Sequence, residues 1–139
     1  MAVAAVTFDR PDDVKTLLGA LAAQSAGISS VALVDSGKSP VKDIAESSAA
    51  NVNYVRSETN LGGAGGFSLA ILTAMASGAD WIWIMDDDAH PEDPGCLQAL
   101  IDGANERGLD VILPLVVAPG KPDTLSFHFR IAKTLAIQA

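Results

Sequence analysis

Cysteine is almost absent: Cys96 is the only one in 139 residues. No internal disulfide and no thiolate metal cluster can form, and a reducing compartment is the simplest inference. Positive charge is scarce as well, with 9 Lys and Arg against 17 Asp and Glu and a formal net charge of -8. Such a chain repels the phosphate backbone that dominates nucleic-acid affinity, so nucleic acid is not an expected partner. The only histidines are His90 and His128, too distant in sequence for a local metal pair. No apolar run reaches the ~18 residues that suggest a membrane span, and the N-terminus lacks the basic segment of a secretory signal. The expected compartment is the cytoplasm, with peripheral association at the inner face of the cell membrane open to the full-length protein. Aromatic residues make up only 5%, yet 49% of the chain is hydrophobic and 12 glycines fall between apolar runs. That is the composition of a globular chain, and its length suits one domain over residues 1–139.

The order of apolar runs and breakers is that of strands alternating with helices. Ala2 to Phe8 has strand length and is stopped by Asp9-Arg10-Pro11; Val14, Leu17, Leu18 and Leu21 then recur at the spacing of one helix face. Val31 to Val34 is a second strand, ending at Asp35 and leading to a short helix around Pro40 to Glu46. Val52 to Val55 is a third, followed by the glycine-rich stretch Asn60 to Gly66 and a helix from about Phe67 to Met75. Trp81 to Met85 is a fourth, closed by Asp86-Asp87-Asp88. Pro94 is expected to open the next helix, with Leu97, Leu100, Ile101 and Ala104 on its buried face. Val111 to Leu115 reads as a fifth strand and Thr124 to Phe129 as a further one. The pattern implies an α/β fold, a mainly parallel sheet with helices on both faces, in which ligands bind beyond the carboxyl ends of the strands.

Polar groups collect at those ends. If extended geometry persists past the fourth strand, Asp86 and Asp88 face the same way, and two convergent carboxylates suit Mg²⁺ or Mn²⁺. The plainer alternative is a polar turn whose acid caps the following helix. Four glycines ahead of a helix let backbone N–H groups approach an anion, or else serve a flexible turn or tight helix–strand packing. Asp9 and Asp35 can accept hydrogen bonds from a base or ribose; equally, Asp9 can cap the first helix and Asp35 can form a turn. Trp81 and Trp83 share one strand face and read as core. His90, before Pro91, reads as an exposed loop residue. Neither common phosphate fingerprint fits: Gly63 to Ser68 fails the dinucleotide pattern at its last glycine, and Gly37-Lys38-Ser39 lacks the earlier glycine of a P-loop, where Ala32 stands.

Taken together, Val-Thr-Phe-Asp-Arg-Pro at 6 to 11, Leu-Val-Asp-Ser-Gly at 33 to 37, Asn-Leu-Gly-Gly-Ala-Gly-Gly-Phe at 60 to 67 and Trp-Ile-Met-Asp-Asp-Asp-Ala at 83 to 89 resemble family 2 glycosyltransferases of the GT-A fold. The likeness is greatest to bacterial galactofuranosyltransferases and related rhamnosyltransferases. It implies a Rossmann-like nucleotide-sugar-binding domain, here the donor-binding portion with the acceptor-binding half largely absent. By the resemblance, Thr7, Phe8, Asp9 and Arg10 border the nucleotide base and Asp35 holds the base or ribose. Asn60, Gly62, Gly63 and Gly66 shape the sugar-diphosphate pocket, Asp87 lies near the ribose or sugar, and Asp86 and Asp88 hold Mn²⁺ or Mg²⁺. The implied donor is a UDP-sugar such as UDP-galactofuranose, with dTDP-rhamnose as the competitor. The implied acceptor is a glycan or polyprenyl-linked molecule, and the implied reaction inverts the anomeric centre. In the family the catalytic base lies beyond the acidic triplet; Asp123 is the only acid after Asp110, and nothing around it matches that base, so no catalytic residue is assigned. Two other readings stand beside this one: a non-catalytic nucleotide-binding module, and a phosphatase with Asp86 or Asp88 as nucleophile. The phosphatase is disfavoured because its acidic motif follows the first strand and because His90 replaces a small residue.

Overall fold

A computed structural model describes residues 1–118 and 120–126. Its strands and helices are β1 (Ala2–Thr7), α1 (Pro11–Ala22), β2 (Ser30–Asp35), α2 (Lys42–Ser47), β3 (Val52–Arg56), α3 (Gly62–Ala76), β4 (Ile82–Asp86), α4 (Cys96–Arg107), β5 (Val117–Ala118) and β6 (Lys121–Leu125). The chain divides into two compact units, Met1–Ile101 and Asp102–Ala139.

In the first unit, β1 to β4 form one parallel sheet in the order β3-β2-β1-β4, with β1 in register with β2 from Ala2↔Ser30 to Thr7↔Asp35 and with β4 from Ala2↔Ile82 to Val6↔Asp86. This is the α/β architecture expected from the alternation of apolar runs.

Strand periodicity sorts the core into two layers of different bulk. Val3, Ala5, Val31, Leu33, Trp83 and Met85 face Val14, Leu17, Leu18 and Leu21 of α1, Ala45 of α2 and Leu97 of α4. On the opposite face, Ala2, Ala4, Ala32 and Val34 meet Ala70 and Ala74 of α3. Alanine against alanine lets α3 lie close to the sheet. At Gly66 a Cβ would come to 3.0 Å from Cγ1 of Val6, so this position has little room for a side chain. The expected helix face of α1 is buried; on α4, Leu97 and Ala104 are buried and Leu100 and Ile101 partly so, and Trp83 is a core residue as anticipated.

Several boundaries differ from expectation. Helix α3 begins at Gly62 rather than near Phe67, so the glycines form its first turns instead of a preceding loop. Helix α4 begins at Cys96, with Pro94 in the turn before it.

In the second unit, Gly108 (φ 61°) closes α4, and the amide of Leu109 donates to the carbonyl of Ala104 at 2.9 Å. The expected fifth strand at Val111 to Leu115 does not form among the described residues. Val111, Leu113 and Leu115 are 73%, 84% and 76% exposed. A strand needs a neighbour to take its N–H and C=O groups, and among the described residues this run pairs with none. Pairing begins only at β5, antiparallel to β6. The expected last strand overlaps β6 up to Leu125; Phe127 to Phe129, and with them His128, lie outside the described residues.

Candidate functional site

A parallel sheet brings all its carboxyl ends to one edge, and the candidate residues gather there. The hub of the β2 end is Asp35, fully buried. Its Oδ1 accepts from the amide of Gly37 at 2.9 Å and from Arg56 Nη1 at 3.1 Å. Its Oδ2 accepts from the amide of Val41 at 3.0 Å and from the hydroxyl of Tyr54 at 2.7 Å. Four donors on two oxygens fill the carboxylate. The expectation that Asp35 holds a base or ribose therefore meets a different arrangement: its lone pairs are committed to shaping the loop from Ser36 to Val41. Arg56 also donates to the carbonyl of Gly37 at 2.5 Å. Burial, then the hydrogen bond to Asp35, pushes the Tyr54 hydroxyl up to about 12.

Asp9 ties this loop to the end of β1. Its Oδ1 accepts from the amides of Lys38 at 2.6 Å and Ser39 at 2.9 Å, and its backbone sits at φ 56°, a left-handed conformation uncommon outside glycine. Asp9 is thus not a cap of α1, whose preceding residue Arg10 makes no side-chain capping bond. A Cβ at Gly37 would lie 2.5 Å from the amide nitrogen of Asp9 and 2.8 Å from its Oδ1, so glycine is required for the two loops to meet. The sequence pattern by itself gives Tyr54, Arg56 and Gly37 no role. The available signal was parity: Tyr54 and Arg56 are register partners of Leu33 and Asp35 and share a strand face.

The second cluster joins β1 to β4. Thr7, at the end of β1, donates its hydroxyl to Asp87 Oδ2 at 2.7 Å, and both residues are buried. Arg10 Nη1 reaches Asp87 Oδ1 at 3.4 Å and Asp88 Oδ2 at 2.5 Å. The hydrogen bond that Arg10 donates to Asp88, reinforced by the charge of Asp87, raises the pKa of the guanidinium. Burial raises that of the Asp87 carboxyl, opposed by the Thr7 bond and by Arg10.

Contrary to the expectation from alternation, Asp86 and Asp88 do not share a strand face, because only Asp86 belongs to the strand. Strand β4 stops at Asp86 and turns at once, the amide of Ala89 donating to the carbonyl of Asp86 at 3.3 Å, so strand alternation does not carry through to Asp88. Both carboxylates nevertheless face solvent, while Asp87 turns inward. Among the described residues no three His, Cys, Asp or Glu side chains converge as a cation cage. Two exposed carboxylates still fit Mg²⁺ or Mn²⁺, which commonly takes one or two from the protein and fills its shell with water and substrate phosphate.

At the start of α3, Asn60 Oδ1 accepts from the amide of Gly62 at 2.8 Å, and Gly62 has φ 61°. Gly63 has nothing within 4 Å of a would-be Cβ and is exposed, whereas Gly66 is buried against Val6. Of the two, only Gly63 faces outward; Gly66 serves helix–strand packing, the plainer alternative. Phe8 is 43% exposed, and His90 is exposed as expected. A cleft of about 440 Å³ between α1 and α2, lined among others by Lys15, Leu18, Asp43 and Ile44, contains none of the candidate residues.

The family model for glycosyl transferase family 2 matches residues 2–135. The chain belongs to that family. This family 2 domain is 38% identical over 128 residues to galactofuranosyltransferase GlfT1 of Mycobacterium tuberculosis and 36% identical over 126 residues to that of Mycolicibacterium smegmatis, with 90% of the chain covered in each case. It spans 42% of the length of either relative. Among solved structures, the S. aureus TarS fragment 1–349 in complex with UDP superposes with a TM-score of 0.70 at 23% identity, covering 86% of this chain and 36% of that one. Its complex with UDP-GlcNAc gives 0.69 at 22% identity, covering 86% and 35%. The likeness to TarS establishes a shared glycosyltransferase fold of the GT-A type. Among the described residues, no helix of the domain is long and apolar enough to cross a membrane.

Proposed function

We propose that this family 2 domain binds the donor nucleotide sugar of a glycosyltransferase that moves galactofuranose from UDP-galactofuranose to a glycan or polyprenyl-linked acceptor with inversion. The observation that carries the reading is the 38% identity to a galactofuranosyltransferase over 90% of the chain. The TarS complexes, of the same fold, hold UDP and UDP-GlcNAc, which supports a uridine nucleotide.

In this reading, the loop from Ser36 to Val41, held by Asp35 and Asp9, and the exposed Phe8 form the nucleoside end of the site. The first turn of α3 offers the backbone N–H groups of Gly63 and Ala64 to the diphosphate, as helix N-termini do, the Gly62 amide being taken by Asn60. Asp87, fixed by Thr7, lies near the ribose or sugar. Asp86 and Asp88 would hold Mn²⁺ or Mg²⁺, which would neutralise charge on the departing nucleotide diphosphate. The base that deprotonates the acceptor hydroxyl is assigned to the part of the relatives that this chain does not span.

The test is calorimetric titration with UDP, dTDP, GDP and NAD, with and without Mn²⁺, repeated on Asp86→Ala and Asp88→Ala. UDP binding that Mn²⁺ strengthens and both substitutions weaken at least about tenfold is the expected result, the scale of a lost charge-assisted contact. A preference for dTDP would point to rhamnose transfer, and absence of binding by folded protein would refute the donor site.

A further inference from the structure

The acidic turn already carries a cation of its own. The Arg10 guanidinium lies against both Asp87 and Asp88, but the two carboxylates are held differently. Asp87 is buried and also bonded to Thr7, so it stays in place without Arg10. The Asp88 side chain is 55% exposed, and among the described residues Arg10 is its only partner. The side chain of Asp86, two residues before Asp88, has no hydrogen-bond or ion-pair partner among the described residues.

The backbone beneath Arg10 is fixed on both sides. Asp9 is held by two amides of the neighbouring loop, and Pro11 starts α1. The side chain, 47% exposed, is free to re-aim. A guanidinium with five fixed N–H donors binds a phosphate as readily as a carboxylate. A divalent cation and a guanidinium competing for Asp88 repel each other.

We propose that Arg10 is the resident counter-ion of the acidic turn, and that donor binding transfers its guanidinium from Asp88 to the donor diphosphate, leaving Asp88 open to the divalent cation. This inference rests on the donor-site reading above. It makes the cation and Arg10 rivals in the empty site and allies once diphosphate is present. It also predicts effects of opposite sign from one substitution, which a merely structural arginine would not produce.

The experiment measures two affinities separately on wild type, Arg10→Gln, Arg10→Lys and Asp86→Ala. Mn²⁺ binding without nucleotide is followed by the EPR signal of the free ion, and UDP binding is followed calorimetrically in metal-free buffer. Arg10→Gln is expected to bind Mn²⁺ about three- to tenfold more tightly, the scale of relieving one exposed ion pair and its like-charge repulsion. The same variant is expected to bind UDP about tenfold more weakly, the loss of a charge-assisted hydrogen bond. Arg10→Lys, which keeps the charge and the fold but loses the fork, should retain most of the Mn²⁺ weakening and only part of the UDP affinity. Should Asp86→Ala abolish Mn²⁺ binding while Arg10→Gln leaves it unchanged or weaker, the counter-ion role is overturned and the donor site stands. If folded wild-type protein binds neither Mn²⁺ nor UDP, both are overturned.

Discussion

Replacing Asp35 by asparagine separates a scaffold role from a ligand role. The carboxylate accepts four hydrogen bonds, two on each oxygen, from Gly37, Arg56, Val41 and Tyr54. An asparagine has one acceptor oxygen and one NH₂ group, so at best two of the four donors keep their partner. With the oxygen toward Gly37 and Arg56, the Val41 amide faces a donor; with it toward Val41, the Gly37 amide and the Arg56 charge do. An unsatisfied buried donor costs about 1–3 kcal/mol, and breaking a fully buried ion pair about 3–5 kcal/mol. The Arg56 side chain is 24% exposed, which reduces the second figure, so a loss of about 3 kcal/mol is expected. That is a large part of the roughly 5–15 kcal/mol by which domains are stable. Urea unfolding followed by tryptophan fluorescence should show a lower midpoint with an unchanged slope, since the same surface is exposed. A variant that loses less than about 1 kcal/mol of stability yet no longer binds UDP would refute the scaffold role and restore Asp35 as a direct ligand.

Tyr54→Phe tests the same hub through pH. With the folded pKa at about 12 and the unfolded value near 10, the tyrosine's contribution is fully present below about pH 10 and is lost as pH rises through 12. The stability difference between wild type and Tyr54→Phe, read from urea midpoints, should therefore shrink between pH 10 and pH 12; a constant difference would contradict the hydrogen bond to Asp35. Among the glycines, Gly63→Ala should stabilise by up to about 1 kcal/mol through helix propensity, because nothing crowds its Cβ. Gly37→Ala should destabilise by about 1–3 kcal/mol through its collision with the Asp9 backbone, both effects being measurable as thermal midpoints. Burial and then the charge of Asp93 push the Cys96 thiol up, so its reaction with a disulfide reagent at pH 8 should run several-fold slower than that of a small free thiol. A rate equal to the free thiol would place Cys96 in a more exposed setting.

The four strands of the parallel sheet were legible because each is an apolar run, and each carboxyl end is marked where that run meets polar residues, at Asp9, Asp35, Arg56 and Asp86. What escaped the sequence was set by contacts between loops. That Asp35 is saturated depends on Tyr54 and Arg56, which reach it only through the β2–β3 register. That Gly37 must be glycine depends on Asp9, 28 residues earlier, whose nitrogen approaches within 2.5 Å of the would-be Cβ. The orientation of the triplet depended on where β4 stops, and periodicity does not encode a turn. The run from Val111 to Leu115 shows the converse: apolar alternation is necessary for a buried strand, but only a hydrogen-bonding neighbour makes one.

The parallel sheet also sorts the connections by direction. All the candidate chemistry lies where strands finish, so the lead-ins to β2, β3 and β4 lie at the far end of each strand. One of them, Ser77 to Asp80, contains exposed Ser77, Gly78 and Asp80, and turns at Gly78 with φ 73°. A fluorophore, spin label or surface tether attached at Asp80 would therefore report on the domain from the side opposite the proposed donor site, leaving that edge unobstructed in a single-molecule or immobilised format.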